Sequence, residues 1–161
     1  MKALTIATAL LLTIPTFGET MSQMDRIKDV FNRLRADNME ILDQFYHPDA
    51  RFIDPLGDHQ GRESVKAYYS NLYKNVTEIH FEFIDDLSVG NKHLLVWKMH
   101  LKAKGLKGGE TVTLDGNSVI HFNDQDLVSY HRDYFDMGEF IYEQVPVLSW
   151  IIGKVKDRLK N

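Results

Sequence analysis

Apolar positions recur at helical spacing from Met24 onward: Met24, Ile27, Val30, Phe31 and Leu34 fall on one helical face. Asp37-Asn38 interrupts the pattern and is expected to cap a second short helix over residues 39–46, which His47-Pro48-Asp49 ends. Residues 50–54 alternate as a strand does and stop at Asp54-Pro55-Leu56-Gly57, a turn sequence. Val65, Tyr68, Tyr69 and Leu72 return to helical spacing within residues 61–73. From there the period shortens to two. Strands are expected at 79–84, 94–103, 110–122 and 127–135. They are joined by Val89-Gly90-Asn91, by the glycine- and lysine-rich stretch 105–109, and by Asn123-Asp124-Gln125-Asp126. Residues 138–159 read as helix again, broken at Pro146.

Helices gathered ahead of a run of strands make an α+β fold. The arrangement expected is a cone-shaped, curved antiparallel sheet wrapped around the N-terminal helices, with a C-terminal helical extension. A sheet bent in this way encloses a hollow of the kind that holds small molecules.

Composition narrows the function classes. The chain has 161 residues, enough for one domain, which is taken to run from 21 to 161. Hydrophobic residues at 43% and charged residues at 26% exclude a disordered chain and a multi-span membrane protein. A net charge of −4 without a basic block is ill suited to a phosphate backbone, so nucleic acid is not an expected partner. Cysteine is absent, which removes disulfides, thiolate nucleophiles and cysteine-held zinc or iron–sulfur centres.

Residues 1–20 read two ways. Lys2 and the apolar run 3–17, with Thr16 and Gly18 as small residues before a cut, have the layout of a secretory signal. That reading places the mature protein in the periplasm or outside the cell. The run falls short of the roughly 20 apolar residues of a membrane span, so no integral span is expected. Alternatively, Met21-Ser22-Gln23-Met24 is an ordinary start, the protein is cytoplasmic, and the first residues are a mis-assigned extension.

Two stretches carry a family resemblance. The first is Phe45-Tyr46-His47-Pro48-Asp49-Ala50-Arg51-Phe52-Ile53-Asp54-Pro55-Leu56-Gly57, followed by Gly61-Arg62-Glu63 and Tyr68-Tyr69. The second is Tyr130-His131-Arg132-Asp133-Tyr134-Phe135-Asp136. Together with the element order they resemble the nuclear transport factor 2-like superfamily, in its SnoaL-like and ketosteroid-isomerase-like branch, over residues 24–142. The resemblance implies that Asp54 stands where the isomerases keep their general base. Val30 and Ser118 stand where those enzymes keep their two oxyanion donors, so the donors are not kept. Asp133 is similarly placed to one aspartate of the Asp-Arg-Asp set of limonene epoxide hydrolase, with Lys98 and His100 at the other two positions. The resemblance also implies a homodimer joined through the sheet face.

Strand parity then proposes a site. Lys98 and His100 share one face of their strand, and His131, Asp133 and Phe135 share one face of the last strand. If Asp133 faces the hollow, the interior is expected to hold Asp54, His100, His131 and Asp133 as catalytic candidates. Lys98, Phe135, Tyr69 and Phe31 are expected to contact the ligand. A histidine beside a carboxylate suits proton transfer, because the carboxylate fixes the tautomer and raises the basicity of the ring. A plainer reading stands beside each residue. Asp54 caps a turn, Asp133 forms a buried ion pair with Lys98 or Arg132, and the histidines are satisfied structural groups. No tight ligand spacing such as H-x-x-x-H occurs, and no metal or cofactor is expected.

Leu148, Ile151, Ile152, Val155 and Leu159 make an apolar stripe on a helix at 145–160, with Lys154, Lys156, Arg158 and Lys160 around it. The stripe is expected to pack on its own domain or on a partner subunit, ahead of a membrane surface. With Phe140, Ile141 and Tyr142 it is expected to close the mouth of the cone. The function expected is binding of a small, largely apolar molecule with acid/base chemistry of isomerase, dehydratase or hydrolase type. The alternative is a non-catalytic ligand-binding or accessory module.

Overall fold

The computed structural model describes residues 21–142 and 146–160. The question of signal or start at residues 1–20 lies outside them. Helix α1 (Gln23–Arg33) begins where the Ser22 hydroxyl accepts the Asp25 N–H, and it buries Ile27, Val30 and Phe31. The expected second helix shortens to α2 (Ile41–Phe45), and Asn38 does not cap it. The Asn38 side chain turns back to α1 instead, accepting from Arg35 N–H and donating to the Arg33 carbonyl.

Strand β1 (Tyr46–Asp54) starts earlier than the sequence pattern suggests and runs through Pro48. The ladder with its neighbour is irregular between Tyr46 and Arg51, so the missing proline N–H interrupts no regular pairing. The Asp54 carboxylate then accepts the N–H groups of Leu56 and Gly57 and closes a hairpin to β2 (Gly57–Gln60). This edge strand escapes the sequence pattern because its four residues include no large apolar one. Helix α3 (Arg62–Tyr73) follows. The long strands β3 (Val76–Val89), β4 (Lys92–Ala103), β5 (Val112–Phe122) and β6 (Val128–Phe135) complete one sheet in the order β2-β1-β6-β5-β4-β3. Residues 105–109 serve as the connection from β4 to β5, as expected. Neighbouring strands are antiparallel except β1 and β6, which run parallel, so the curved sheet is mixed.

Helices α1–α3 lie against one face of this open sheet. Ile27, Phe31, Leu34, Leu42, Phe45 and Val65 from α1–α3 meet Phe52, Phe81, Leu95, Trp97, Leu114, Ile120 and Phe122 from the strands. Parity on β4 is the decisive feature. His93, Leu95, Trp97, Met99 and Leu101 are buried, which turns Lys98 and His100 to the outer face. The expected inward placement of those two residues is therefore corrected. A face that buries five large side chains has no room for an ammonium without a partner.

Asp136 caps α4 (Met137–Phe140) by accepting from Gly138 and Glu139 N–H. Helix α5 (Pro146–Lys160) ends the described chain. Of the two packings expected for its stripe, the one on its own domain is not met: no described α5 side chain belongs to the core or rests against it, and Leu148, Ile151, Val155 and Leu159 are exposed in the single chain.

Candidate functional site

Between α1, α3 and the concave face of the sheet lies a cavity of about 120 Å³. An engineered apolar cavity of about 150 Å³ accepts benzene, so this one fits a compact ligand of similar girth. Phe31, Phe52, Tyr68, Tyr69, Trp97 and Phe135 are among its walls. Its charged lining consists of Asp54 and Asp133.

Asp133 is built into a hydrogen-bond chain. The Trp97 indole N–H donates to Ser118 Oγ at 2.8 Å, and an indole can only donate. The Ser118 hydroxyl therefore passes its own proton onward to Asp133 Oδ1 at 2.5 Å. The same oxygen lies 2.8 Å from His131 Nε2. A carboxylate accepts, so Nε2 carries the hydrogen, and in the neutral ring Nδ1 receives the Tyr46 hydroxyl at 2.5 Å. His131 is wholly buried and locked in place. Tyr46 and Phe31 flank it, and Phe52 meets it edge-on at 4.9 Å. With Oδ1 accepting twice, Asp133 Oδ2 is the oxygen without a hydrogen-bond donor among the described residues.

Asp54 is engaged differently. Oδ1 holds the turn to β2, and Oδ2 accepts the Tyr68 hydroxyl, so the turn-capping reading describes half of its role. Tyr68 also stacks on His59, with ring centroids 4.1 Å apart.

Burial and charge act together on the tyrosines. Burial, with the negative charge of Asp133 added, raises Tyr46, Tyr69 and Tyr73 above the ordinary phenol range. Tyr68 is raised by burial first and by its bond to Asp54 second, with Asp133 adding a smaller push. All four stay neutral across the physiological range. One carboxylate thus acts electrostatically on four phenols around a single hollow.

The structure brings together Asp54, Asp133, Tyr69, Phe31 and Phe135 in the cavity wall, with His131 directly behind Asp133. Val30 also lines the wall, and Ser118 supports it. Lys98 and His100 stand on the other face of the sheet. Lys98 lies 3.4 Å from Asp115, and His100 Nε2 lies 3.7 Å from Glu82. The ion pair expected for Asp133 with Lys98 or Arg132 is replaced by its bonds to Ser118 and His131. Trp97, Tyr46, Tyr68 and Tyr73 were not anticipated. The signal for Trp97 was the unbroken apolar series from Leu95 to Leu101 at every second residue, against lysine and histidine between them. Phe140 lines the cavity, whereas α5 does not. Among the described residues no group of three histidine, aspartate or glutamate side chains is disposed to hold a metal ion.

Comparison with known proteins locates this arrangement. No curated protein matches the chain. Many solved structures share its fold, and three illustrate the range. One is a nuclear transport factor 2-like protein of unknown function from Burkholderia pseudomallei, with 17% identity, TM-score 0.64, and coverage of 74% of this chain and 94% of that one. Another, from Shewanella denitrificans, is provisionally named a SnoaL-like polyketide cyclase, with 17% identity, TM-score 0.65, and coverage of 76% and 95%. The third is an LEH-like epoxide hydrolase of M. tuberculosis, with 14% identity, TM-score 0.62, and coverage of 83% and 91%. At such identities the likeness is one of fold, and this fold hosts many chemistries. The model of the SnoaL-like domain matches residues 27–131, from the buried face of α1 to the histidine behind Asp133, and the chain belongs to the SnoaL-like domain family.

Proposed function

We propose that the cavity binds a small, largely apolar molecule and acts on it by general acid–base chemistry, with Asp133 as the base. The observation that carries this reading is the asymmetry of its carboxylate. Ser118 and His131 hold Oδ1 at 2.5 and 2.8 Å, while Asp133 itself lies in the wall of an aromatic hollow. A base must be oriented and must keep one oxygen available to the substrate. His131 takes the role of positioning group, and the Tyr46 hydroxyl behind it fixes its tautomer. Tyr68, whose hydroxyl donates to Asp54, is a neutral wall opposite the base. The reaction class is proton abstraction beside an electron-withdrawing group, as isomerisations and dehydrations require. The walls supply aromatic area for binding and exclude water from the transfer.

A second reading, ligand binding without turnover, is favoured by one observation. Both oxygens of Asp54 and the hydroxyl of Tyr68 are spent on each other and on the turn, which leaves Tyr68 committed. One experiment separates the two. Cyclohexanone in deuterium oxide serves as a probe of base strength, its α-proton exchange followed by NMR. The catalytic reading expects exchange catalysed by the protein and lost in Asp133→Asn. Equal exchange with both proteins leaves the binding reading. Native mass spectrometry of the purified protein then identifies any molecule that copurifies.

A further inference from the structure

Helix α5 turns the wrong way for a helix of a water-soluble domain. Val147, Leu148, Ile151, Val155 and Leu159 lie within one arc of its surface, and a surface helix ordinarily buries such an arc against its own core. Here they are 69%, 40%, 46%, 54% and 82% exposed. The partly sheltered positions are Ser149, Ile152 and Gly153, two of which carry almost no apolar surface. Trp150, 64% exposed, flanks the arc, and Lys154 Nζ sits 4.7 Å above its ring. Lys154 falls between Trp150 and the aliphatic arc and Arg158 within the arc, while Lys156 and Lys160 follow in the last turns, past its far edge. The helix thus carries four cations against the single carboxylate of Asp157, in a chain whose net charge is −4.

We propose that α5 lies in the surface of an anionic lipid bilayer. The chemistry of each position fits that occupant. The aliphatic arc enters the boundary between headgroups and acyl chains, and the tryptophan ring seats at the headgroup level. Lys154 beside the arc and Arg158 within it reach back to lipid phosphates along their methylene stems. The concentration of positive charge in one helix of an otherwise acidic chain is complementary to an anionic surface and is repelled from none of it. No described helix is long and apolar enough to cross a membrane, so α5 lies on the surface and does not span. This inference is independent of whether the cavity turns over a substrate.

The test uses the full chain, floated on a density gradient with vesicles of equal parts phosphatidylglycerol and phosphatidylcholine, and with vesicles of phosphatidylcholine alone. Binding is expected to the anionic vesicles, weaker at high salt, with a blue shift of Trp150 emission. The other tryptophan, Trp97, is already buried and contributes a constant signal. The double substitution Ile151→Asp, Val155→Asp is expected to weaken binding at least about tenfold. Lys154→Glu, Arg158→Glu is expected to abolish the preference for anionic lipid while keeping the apolar arc. All four side chains are exposed, so folding is retained, and near-ultraviolet circular dichroism checks it. Residues 1–20 are the same in every variant, so a difference between variants reports α5. Equal flotation of the parent protein and the aspartate variant overturns the proposal. So does a parent protein that ignores both vesicles, including one that forms a dimer lost in the aspartate variant, which would assign the face to a second copy.

Discussion

His131 and Asp133, two residues apart on β6, point the same way from the strand, and Nε2 of one meets Oδ1 of the other at 2.8 Å. Neighbouring positions of like parity lie on one face of a sheet, and here that face is the concave one. The histidine is wholly buried, and the carboxylate reaches the cavity. The pair therefore joins a polar chain inside the domain, Tyr46 to His131 to Asp133, to an apolar chamber. Such a chain is stable only when every member is satisfied, so substitutions along it have separable effects on chemistry and on folding.

Asp133→Asn keeps the shape and an acceptor for Ser118, but it loses the basic oxygen. Proton exchange from cyclohexanone is expected to fall about a hundredfold or more, with stability changed by about 1 kcal/mol. Asp133→Ala also orphans the Ser118 hydroxyl and His131 Nε2–H, and it is expected to cost about 1–3 kcal/mol in urea unfolding. An alanine variant as stable as the asparagine variant would show that the chain behind Asp133 is not held by it.

Gly116 sits on β5 opposite Trp97, and a Cβ at this position would overlap the indole ring. Gly116→Ala is expected to displace Trp97 and to break its bond to Ser118. The expected cost is about 1–3 kcal/mol. Trp97 emission shifts toward that of an exposed ring, and measuring it in Trp150→Phe isolates this signal. A variant with unchanged emission and stability contradicts the packing described.

Alkaline solution should unfold the protein through its buried phenols. Tyr46, Tyr68, Tyr69 and Tyr73 bind their protons more tightly folded than unfolded, because burial and nearby carboxylates oppose the phenolate. Their contribution is fully present below the unfolded value of about 10 and is lost as pH rises above it. Phenolate absorbance of these four is expected to appear together with loss of circular dichroism. Tyr46→Phe, Tyr69→Phe is expected to move the transition to higher pH. Early, gradual ionisation of all seven tyrosines in a folded protein is the contrary result.

On the acid side, burial lowers His93 and His121 below the ordinary imidazole value. His93 is held between Gln23 of α1 and Ser88, both at 2.8 Å. A depressed imidazole favours the unfolded, protonated state, so stability is retained above about pH 6.5 and declines below it. Urea midpoints at pH 5 and pH 7 measure the difference. It should shrink in His93→Gln, His121→Gln.

His100→Ala and Lys98→Ala are expected to leave the exchange reaction intact. Their partners, Glu82 and Asp115, are on the outer face, and exposed pairs of this kind are worth about 1 kcal/mol or less. Loss of exchange in either variant would place the chemistry on the opposite side of the sheet.

The helical face from Met24 to Leu34, the turn at Asp54 and the four strands from residue 79 onward were legible because each repeats a short-range pattern, although the first of them runs from 76 to 89 where 79–84 was expected. The hairpin strand β2 and the parallel pairing of β1 with β6 were not. The first has no apolar repeat, and the second joins segments some eighty residues apart. Lys98 and His100 were read onto the wrong side by matching positions to a family pattern. The alternation of Leu95, Trp97, Met99 and Leu101 spoke for the other face, since parity decides everything along a strand.

Local periodicity by itself determined that this chain makes an α+β domain with an aromatic lining, and it placed Asp54, His131 and Asp133 on elements that could face a hollow. Only the tertiary structure decided which of them meet. Trp97, Ser118, Asp133, His131 and Tyr46 come from four strands and form one chain because the sheet pairs and curves as it does. Hydrogen bonds between segments distant in sequence leave no periodic trace in it. The exposure of the α5 stripe was likewise undecided, because an amphipathic pattern specifies that a face is apolar and leaves open what covers it.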